Sequence, residues 1–383
     1  MIETPSSIRV LHLFSNSKWT GPAEPAVNLC RVLRGLGVSV AFACAPKTGS
    51  GANRVQSEAR GYGMEPLSFL RLSKHRHPLK NWLDVRALRR YLRTVPCDLV
   101  HCHLDNDTEI ALRAVAGSGI PVVRSSYEGT GFLPTRRHRF FLQACRAVIE
   151  PSRMALENDA AIPGADRTRL SLVSTAIDEE RFNPERTLPD MRSKLGLSKE
   201  DFVLGIVARI QGHRHYEDLF SAFAEFAGKT PCAHLLVVGR GTRQEQLAFR
   251  PVRELGLENQ VHFTGYLTAD EYVGVLAAFD AGLFLTPGTD GTCRAVREIM
   301  AMGKPMITSN RGMLAEIVTH ERNGIVTDGS PEQLLAAMRS FQSDREFRLA
   351  CGKNALETAR VSFSLNKYGA AVLDIYRRIL GSR

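Results

Sequence analysis

Ile8-Arg-Val-Leu-His-Leu-Phe14 and Val38-Ser-Val-Ala-Phe-Ala-Cys44 are apolar runs that read as buried strands, and what joins them decides the fold. Between them, Glu24 to Leu36 carries Val27, Leu29, Val32, Leu33 and Leu36 on one side at helical spacing, and Gly37 stops the pattern. Strand, helix, strand in direct succession is the unit from which parallel sheets covered on both faces are built. Working outward, Asp98–His101, Ile120–Arg124, Ala147–Glu150 and Leu170–Val173 are further strand candidates.

The scheme then restarts. Phe202–Ala208, His234–Gly239, Val261–Thr264, Ala281–Leu285, Pro305–Thr308 and Gly324–Thr327 read as the strands of a second sheet. Asn183-Pro-Glu-Arg-Thr-Leu-Pro-Asp190, polar and with two prolines, is the expected linker. The expected architecture is α/β: two doubly wound Rossmann-like domains, residues 1–184 and 185–363, facing a central cleft. Ligands of such sheets sit beyond the carboxyl ends of the strands. The last helix, capped by Ser364, carries Leu365, Tyr368, Val372, Ile375 and Ile379 in one stripe; residues 364–383 pack either on the second domain or back on the first.

Composition narrows the class. The 383 residues are 44% hydrophobic and 23% charged, which is globular composition. No apolar run approaches the roughly 18 residues of a spanning helix, and Met1-Ile2-Glu3-Thr4-Pro5 lacks the layout of a secretion signal. Eight scattered cysteines without a Cys-x-x-Cys pair read as reduced thiols. A cytoplasmic protein is expected. Lys and Arg number 50 against 40 Asp and Glu, a net +10 that calls for an anionic partner.

The strongest local signal is Leu285-Thr-Pro-Gly-Thr-Asp-Gly-Thr-Cys-Arg-Ala-Val-Arg-Glu-Ile-Met-Ala-Met-Gly-Lys-Pro305. A strand ends, a Pro/Gly loop follows, and a helix runs from near Thr292 to Gly303. The free N–H groups and positive dipole end of such a helix suit a phosphate. Asp290 in the loop and Glu298 eight positions later are carboxylates able to accept from sugar hydroxyls; a solvated helix face is the plainer reading of Glu298 alone.

Asp290-x7-Glu298 followed by Ala301-Met-Gly-Lys-Pro305 resembles the Glu-x7-Glu motif of the retaining glycosyltransferases of family 4, which have the GT-B fold. Gly205-Ile-Val-Ala-Arg209 through Arg214 to Leu219 is similar to the family's Gly-Arg…Lys element. Leu236-Val-Val-Gly-Arg-Gly241 resembles its glycine turn, and Val261-His-Phe-Thr-Gly-Tyr266 its base-side strand and loop. Gly312…Glu316 and Asn323-Gly324 match downstream positions. Gly21-Pro-Ala-Glu24 resembles the Gly-rich loop after the first strand, and Asp98-Leu-Val-His101 the central strand of the first domain.

The resemblance implies a sugar transferase using a nucleoside diphosphate sugar. It places Glu298 on the ribose hydroxyls, Asp290 toward the transferred sugar, and Gly21, Tyr266, Gly291, Thr292, Cys293 and Arg294 around the nucleotide sugar. Arg209 and Arg214 would hold the diphosphate and offset the charge left on the departing nucleotide, so that no metal or other cofactor is required. Departures accompany the match. Arg214 replaces the usual lysine, Asp290 is one methylene short of glutamate, and Thr175-Ala-Ile-Asp178 stands for Asn-Gly-Val-Asp. Tyr127, in Pro121-Val-Val-Arg-Ser-Ser-Tyr127, occupies the place of a histidine and is either a catalytic-site group or a filler of the wall. Two readings follow: an active retaining hexosyltransferase acting on a glycan or lipid-linked acceptor, in surface polysaccharide or glycolipid biosynthesis, or a non-catalytic nucleotide-sugar binder acting as scaffold or sensor.

His101-Cys-His103 turns two imidazoles to one face of a strand without a convergent third, and no metal site is expected there. The basic surplus is concentrated: residues 71–93 hold Arg71, Lys74, Arg76, Lys80, Arg86, Arg89, Arg90 and Arg93 against Asp84 alone. Leu79, Trp82, Leu83, Ala87 and Tyr91 form the expected apolar side of the helix within it. The segment reads either as an ordinary helix with a solvated arginine face or as a peripheral contact with an anionic membrane at its inner face, suited to a lipid-linked acceptor. Arg136-Arg-His-Arg139 with Phe140 and Phe141 adds a second basic–aromatic site. Nothing in the second-half motifs points to nucleic acid.

Overall fold

The computed structural model describes residues 7–46, 53–267, 269–287 and 292–381. The chain divides into two units, Met1–Ala176 with Leu365–Arg383, and Ile177–Ser364. The first contains β1 (Arg9–Phe14), α1 (Ala23–Gly35), β2 (Ser39–Cys44), α2 (Arg54–Gly61), α3 (Pro78–Thr94), β3 (Leu99–Cys102), α4 (Asp105–Ala114), β4 (Val122–Ser125), α5 (Arg136–Ala144), β5 (Ala147–Glu150), α6 (Arg153–Ala160) and β6 (Leu170–Leu172). The second runs α7 (Met191–Lys194), β7 (Phe202–Val207), α8 (Tyr216–Lys229), β8 (Ala233–Val238), α9 (Arg250–Glu254), β9 (Val261–Gly265), α10 (Ala269–Ala278), β10 (Ala281–Phe284), α11 (Arg294–Ala301), β11 (Met306–Ser309), α12 (Leu314–Ile317), β12 (Gly324–Thr327), α13 (Pro331–Ser343) and α14 (Arg345–Ser362). The last helix, α15 (Leu365–Gly381), belongs to the first unit.

Both sheets have six strands and every pairing is parallel, in the orders β2-β1-β3-β4-β5-β6 and β12-β11-β10-β7-β8-β9. Chain direction across the sheet reverses between β1 and β3 in one and between β7 and β10 in the other. These are the switch points, where loops leave in opposite directions and open a crevice beyond the strand ends. The expected strands are all present, each within two residues of its predicted bounds, because each apolar run is framed by Gly, Pro or charged residues.

Core packing in the first unit follows the two-residue period of β1. Leu11 and Leu13 join Val100, Phe141 and Leu142 on one face; Val10 joins Leu99, Val123 and Ile149 on the other, where Tyr368, Val372 and Tyr376 of α15 cover them. Helix α15 lies against α1 at Gly369, where a Cβ would meet Val32 Cγ1 at 2.1 Å. The division of the chain falls at Ala176/Ile177 and not at 184/185. The two-proline segment 183–190 is part of the second unit: Arg186 pairs with Asp270 at 2.9 Å, and the Pro189 carbonyl lies 2.8 Å from where Gly274 would carry a Cβ.

Helix α3 corrects the expected apolar side. Leu79 and Trp82 are 62% and 53% exposed, and the buried line is Asn81, Asp84 and Leu88. Asp84 accepts the N–H groups of Arg71 and Leu72 at 2.9 and 3.0 Å, and Asn81 donates to Asn106 at 2.7 Å. Buried polar groups with partners inside the fold have replaced the apolar contacts that periodicity assigns to a core face. Among the described residues no helix is long and apolar enough to cross a membrane.

Candidate active site

In the second unit, the switch point is built by the loops after β7 and β10. The turn after β8 presses directly on the first of these. A Cβ on Gly239 would lie 2.3 Å from the Ala208 carbonyl oxygen, and one on Gly241 1.9 Å from that of Ile210, so only glycine permits this approach. Ala208 N–H donates to Val238 at 3.1 Å and Ile210 N–H to Arg240 at 3.2 Å. Arg209, held between these anchors, is exposed and has no carboxylate partner among the described residues. Arg214 closes a short turn, Gly212–Arg214, and is buried. Its Nη1 donates to the Thr286 carbonyl at 2.5 Å, and its guanidinium stands 5.2 Å from the Phe284 ring centroid. One arginine thus fastens the loop after β7 to the loop after β10, and the other extends from it.

Asp290 and Gly291 lie outside the described residues. Past them, Thr292 and Cys293 are buried and Cys293 adopts a left-handed φ of 50°, which delays α11 until Arg294, two residues beyond the expected start. Arg297, also buried, donates back to the Thr292 carbonyl and stacks 4.9 Å from the Phe363 ring. Glu298 is 2% exposed. Arg294 Nε lies 3.2 Å from its Oε1, and the Tyr272 hydroxyl donates to its Oε2. Glu298 is therefore an oriented carboxylate inside the fold and not a solvated one. Tyr266, after the positive-φ Gly265, is 68% exposed.

The corresponding edge of the first sheet is different in kind. Gly21 sits in the Thr20–Ala23 turn that leads into α1. His12 on β1 and His101 on β3 are register partners, and His103 follows on the same face. The sequence reading missed His12, the third imidazole; its signal was the matched position in neighbouring central strands. All three are fully buried and stacked, with centroids 4.6–5.3 Å apart and His101 and His103 only 7° from parallel. They form hydrogen-bonded chains and do not converge on a point. His12 Nδ1 meets His103 Nε2 at 3.0 Å, and His103 Nδ1 meets the Tyr127 hydroxyl at 2.7 Å. His101 bonds Ser125 Oγ at 2.8 Å and the Tyr376 hydroxyl of α15. Burial pushes the pKa of His12 down to about 3 and those of His101 and His103 well below the ordinary value, so all three are neutral. Tyr127 is itself buried, its hydroxyl inside this chain.

The basic surface of the first unit is partly consumed internally. Arg76 pairs with Glu109 at 3.2 Å, and Arg89 donates to the Arg113 and Ala114 carbonyls at 2.8 and 3.3 Å, closing the end of α4. Arg86 stacks on Trp82 at 4.7 Å. Lys80, Arg86 and Arg90 make no ion pair among the described residues. Among those residues, His215, Glu217 and Asp218 are a group whose ligand atoms lie within 4.8 Å of one another; His215 Nδ1 is bonded to Asp218 at 3.0 Å.

Residues 189–358 match the family model described as glycosyl transferases group 1, and residues 21–181 match that of glycosyltransferase family 4. The D-inositol 3-phosphate glycosyltransferase of Corynebacterium glutamicum is 28% identical over 221 residues, covering 55% of this chain and 52% of its own length. A GDP-mannose-dependent alpha-(1-6)-phosphatidylinositol monomannoside mannosyltransferase of Mycobacterium tuberculosis is 25% identical over 218 residues, 54% of this chain and 56% of its own. The matches span about half the length of these relatives. Anabaena HepE, solved in complex with UDP, superposes with a TM-score of 0.81 at 17% identity, over 97% of this chain and 100% of that one. The chain belongs to family 4 of the glycosyltransferases and has their GT-B fold.

Proposed function

We propose that this chain is a retaining glycosyltransferase moving a hexose-type sugar from a nucleoside diphosphate sugar to a hydroxyl of a glycan or lipid-linked acceptor. The observation that carries the proposal is the second sheet's switch point. An exposed Arg209, without a carboxylate partner among the described residues, stands on a loop that Arg214 fastens to the segment leading into α11, and an oriented Glu298 lies on that helix.

In this reading the ribose hydroxyls bind Glu298, with Thr292, Cys293, Arg294, Gly291 and Tyr266 around the nucleotide. Breaking the sugar–phosphate bond leaves charge on the diphosphate. Arg209, Arg214 and the N-terminus of α11 meet that charge; Arg214 and the helix are held in place before the reaction, which lowers the barrier with little reorganisation. They supply the compensation a divalent ion would otherwise bring, so the proposal includes no metal. Arginine in place of lysine at position 214 suits two roles at once, since a planar guanidinium both donates to the Thr286 carbonyl and stacks on Phe284. Asp290 is proposed for the transferred sugar.

The acceptor is assigned to the first unit, with Tyr127 beyond the end of β4; Gly21, in the turn after β1, is proposed to reach the nucleotide sugar. Leu79, Trp82, Arg86, Arg89, Arg90 and Arg93 share one sector of α3 of about 100°, and the apolar members are exposed. Such a face suits a peripheral contact with anionic lipid and a lipid-linked acceptor. Placement in glycolipid or surface polysaccharide synthesis follows from that acceptor class. That a named relative is a mannosyltransferase dependent on GDP-mannose favours transfer over a scaffold role.

The test is Arg209→Ala and Glu298→Ala, each assayed for transfer and for melting temperature. Each is expected to lower transfer by about 100-fold or more with little change in melting. Turnover at the wild-type level in either variant contradicts the assignment.

A further inference from the structure

Glu298 does not stand alone, and the residue that completes it comes from a different helix. Tyr272 of α10 donates its hydroxyl to Glu298 Oε2 while Arg294 faces Oε1 at 3.2 Å. The Tyr272 ring is in turn held edge-on by Phe182, with centroids 6.1 Å apart and planes at 89°. Arg181 lies over both rings, 5.9 Å from Tyr272 and 5.0 Å from Phe182. Phe182 is buried, and its position is fixed locally: its N–H donates to the Asp178 carbonyl at 2.9 Å, and Asp178 Oδ1 accepts from Glu180 and Arg181 N–H at 3.2 Å. The run from Asp178 to Phe182 opens the second unit, directly after the chain leaves the first.

We propose that Tyr272 is a positioning residue for Glu298, and that Phe182 and Arg181 make the turn 178–182 part of the same device. The proposal rests on the reading of Glu298 as the ribose-binding carboxylate. The physical case is one of geometry. A carboxylate that is 2% exposed must have its lone pairs met inside the fold, and its usefulness to two neighbouring ribose hydroxyls depends on its plane being fixed before they arrive. Arg294 approaches the carboxylate from one turn away on the same helix, at Oε1. A phenol on a second helix holds the other oxygen from a different direction, and two donors from two helices set the carboxylate plane. Tyrosine provides a rigid ring with a hydrogen-bonding tip, and Phe182 fixes the ring. Tyr272 is assigned contact with neither the diphosphate cations nor the transferred sugar; it acts through Glu298.

A positioning role makes a prediction that a packing role does not: loss of the hydroxyl must affect recognition of ribose specifically. The experiment uses the full chain and titrates UDP, GDP and ADP, with the 2′,3′-dideoxy form of whichever binds, against wild type, Tyr272→Phe and Glu298→Gln. In wild type the ribonucleotide binds more tightly than its dideoxy form. In Tyr272→Phe the ribonucleotide affinity is expected to fall about tenfold and the dideoxy affinity by less than about twofold, so the ratio collapses toward that of Glu298→Gln. Phe182→Leu, which keeps the hydroxyl and removes its support, is expected to lower the ratio about threefold. A wild-type ratio in Tyr272→Phe with a collapsed ratio in Glu298→Gln overturns the proposal and leaves the reading of Glu298 intact. Equal losses of both ligands in Tyr272→Phe also overturn it, because they mark a general loosening. A wild-type ratio in Glu298→Gln overturns both.

Discussion

Along β1 and β3 and just past them the first sheet buries three neutral imidazoles and a tyrosine hydroxyl in one stack, whereas the second presents beyond its strands an exposed arginine, a clamped one and a helix N-terminus. The topologies are alike at these places: both are switch points of six-stranded parallel sheets. The chemistry is opposite. In the first, burial holds the imidazoles uncharged, and hydrogen bonds link His12 to His103 and His101 to Tyr376 of α15, while His12 Nε2 is buried without a partner among the described residues. In the second, the charge is that of arginine, which burial rarely removes. The same sheet topology therefore carries a buried neutral stack in one unit and an exposed cation in the other.

The comparison can be broken first through pH. The native pKa of His12 lies near 3, against about 6.5 in an unfolded chain. As pH falls below 6.5 the unfolded chain takes up a proton that the folded one refuses, so this group removes stability progressively down to pH 3. The slope is about 1.4 kcal/mol per pH unit. Burial acts on carboxylates in the reverse sense: Asp107 is pushed up to about 7, and Glu150 and Asp159 are also raised. Those groups keep their protons in the fold and add stability at low pH, which is lost as pH rises through their native values. The total acid response of the first unit is thus flattened. His12→Gln isolates the imidazole. Urea unfolding at pH 6, 5 and 4 is expected to show the wild type losing about 1.4 kcal/mol per unit more than the variant. Parallel curves contradict the buried neutral stack.

A smaller effect sharpens the contrast at the outer surface of the first unit. Trp82→Ala removes an exposed ring and the seat of Arg86, and is expected to weaken binding to vesicles containing anionic phosphatidylglycerol by about fivefold. Binding to neutral phosphatidylcholine vesicles should be weak in both proteins. Equal binding of wild type and variant to anionic vesicles argues that α3 has an ordinary solvated face.

How much of this was legible in the sequence divides along the same line. Strands, and the order strand–helix–strand, are written in local apolar runs, and the Asp290-x7-Glu298 spacing with its Gly-Lys-Pro stop located α11 within two residues. The error at its start came from Cys293, whose left-handed φ no propensity would assign to a cysteine. Helix α3 misled because its buried centre is Asn81 and Asp84, residues that periodicity assigns to solvent; their partners, Asn106 and the Arg71 and Leu72 N–H groups, are distant in sequence. His12 joined His101 only through the pairing of β1 with β3, and Tyr272 reached Glu298 only once α10 lay beside α11. Elements come from neighbouring residues; orientation of a functional group comes from contacts the topology creates.

The most direct test sets one residue from each edge side by side: nucleoside diphosphate affinity, by titration of UDP, GDP and ADP, in Arg209→Ala and Tyr127→Phe. Arg209→Ala is expected to bind its diphosphate about 100-fold more weakly, and Tyr127→Phe to bind it as the wild type does. The reverse result, with affinity lost in Tyr127→Phe and kept in Arg209→Ala, would contradict the assignment of the nucleotide to the second unit.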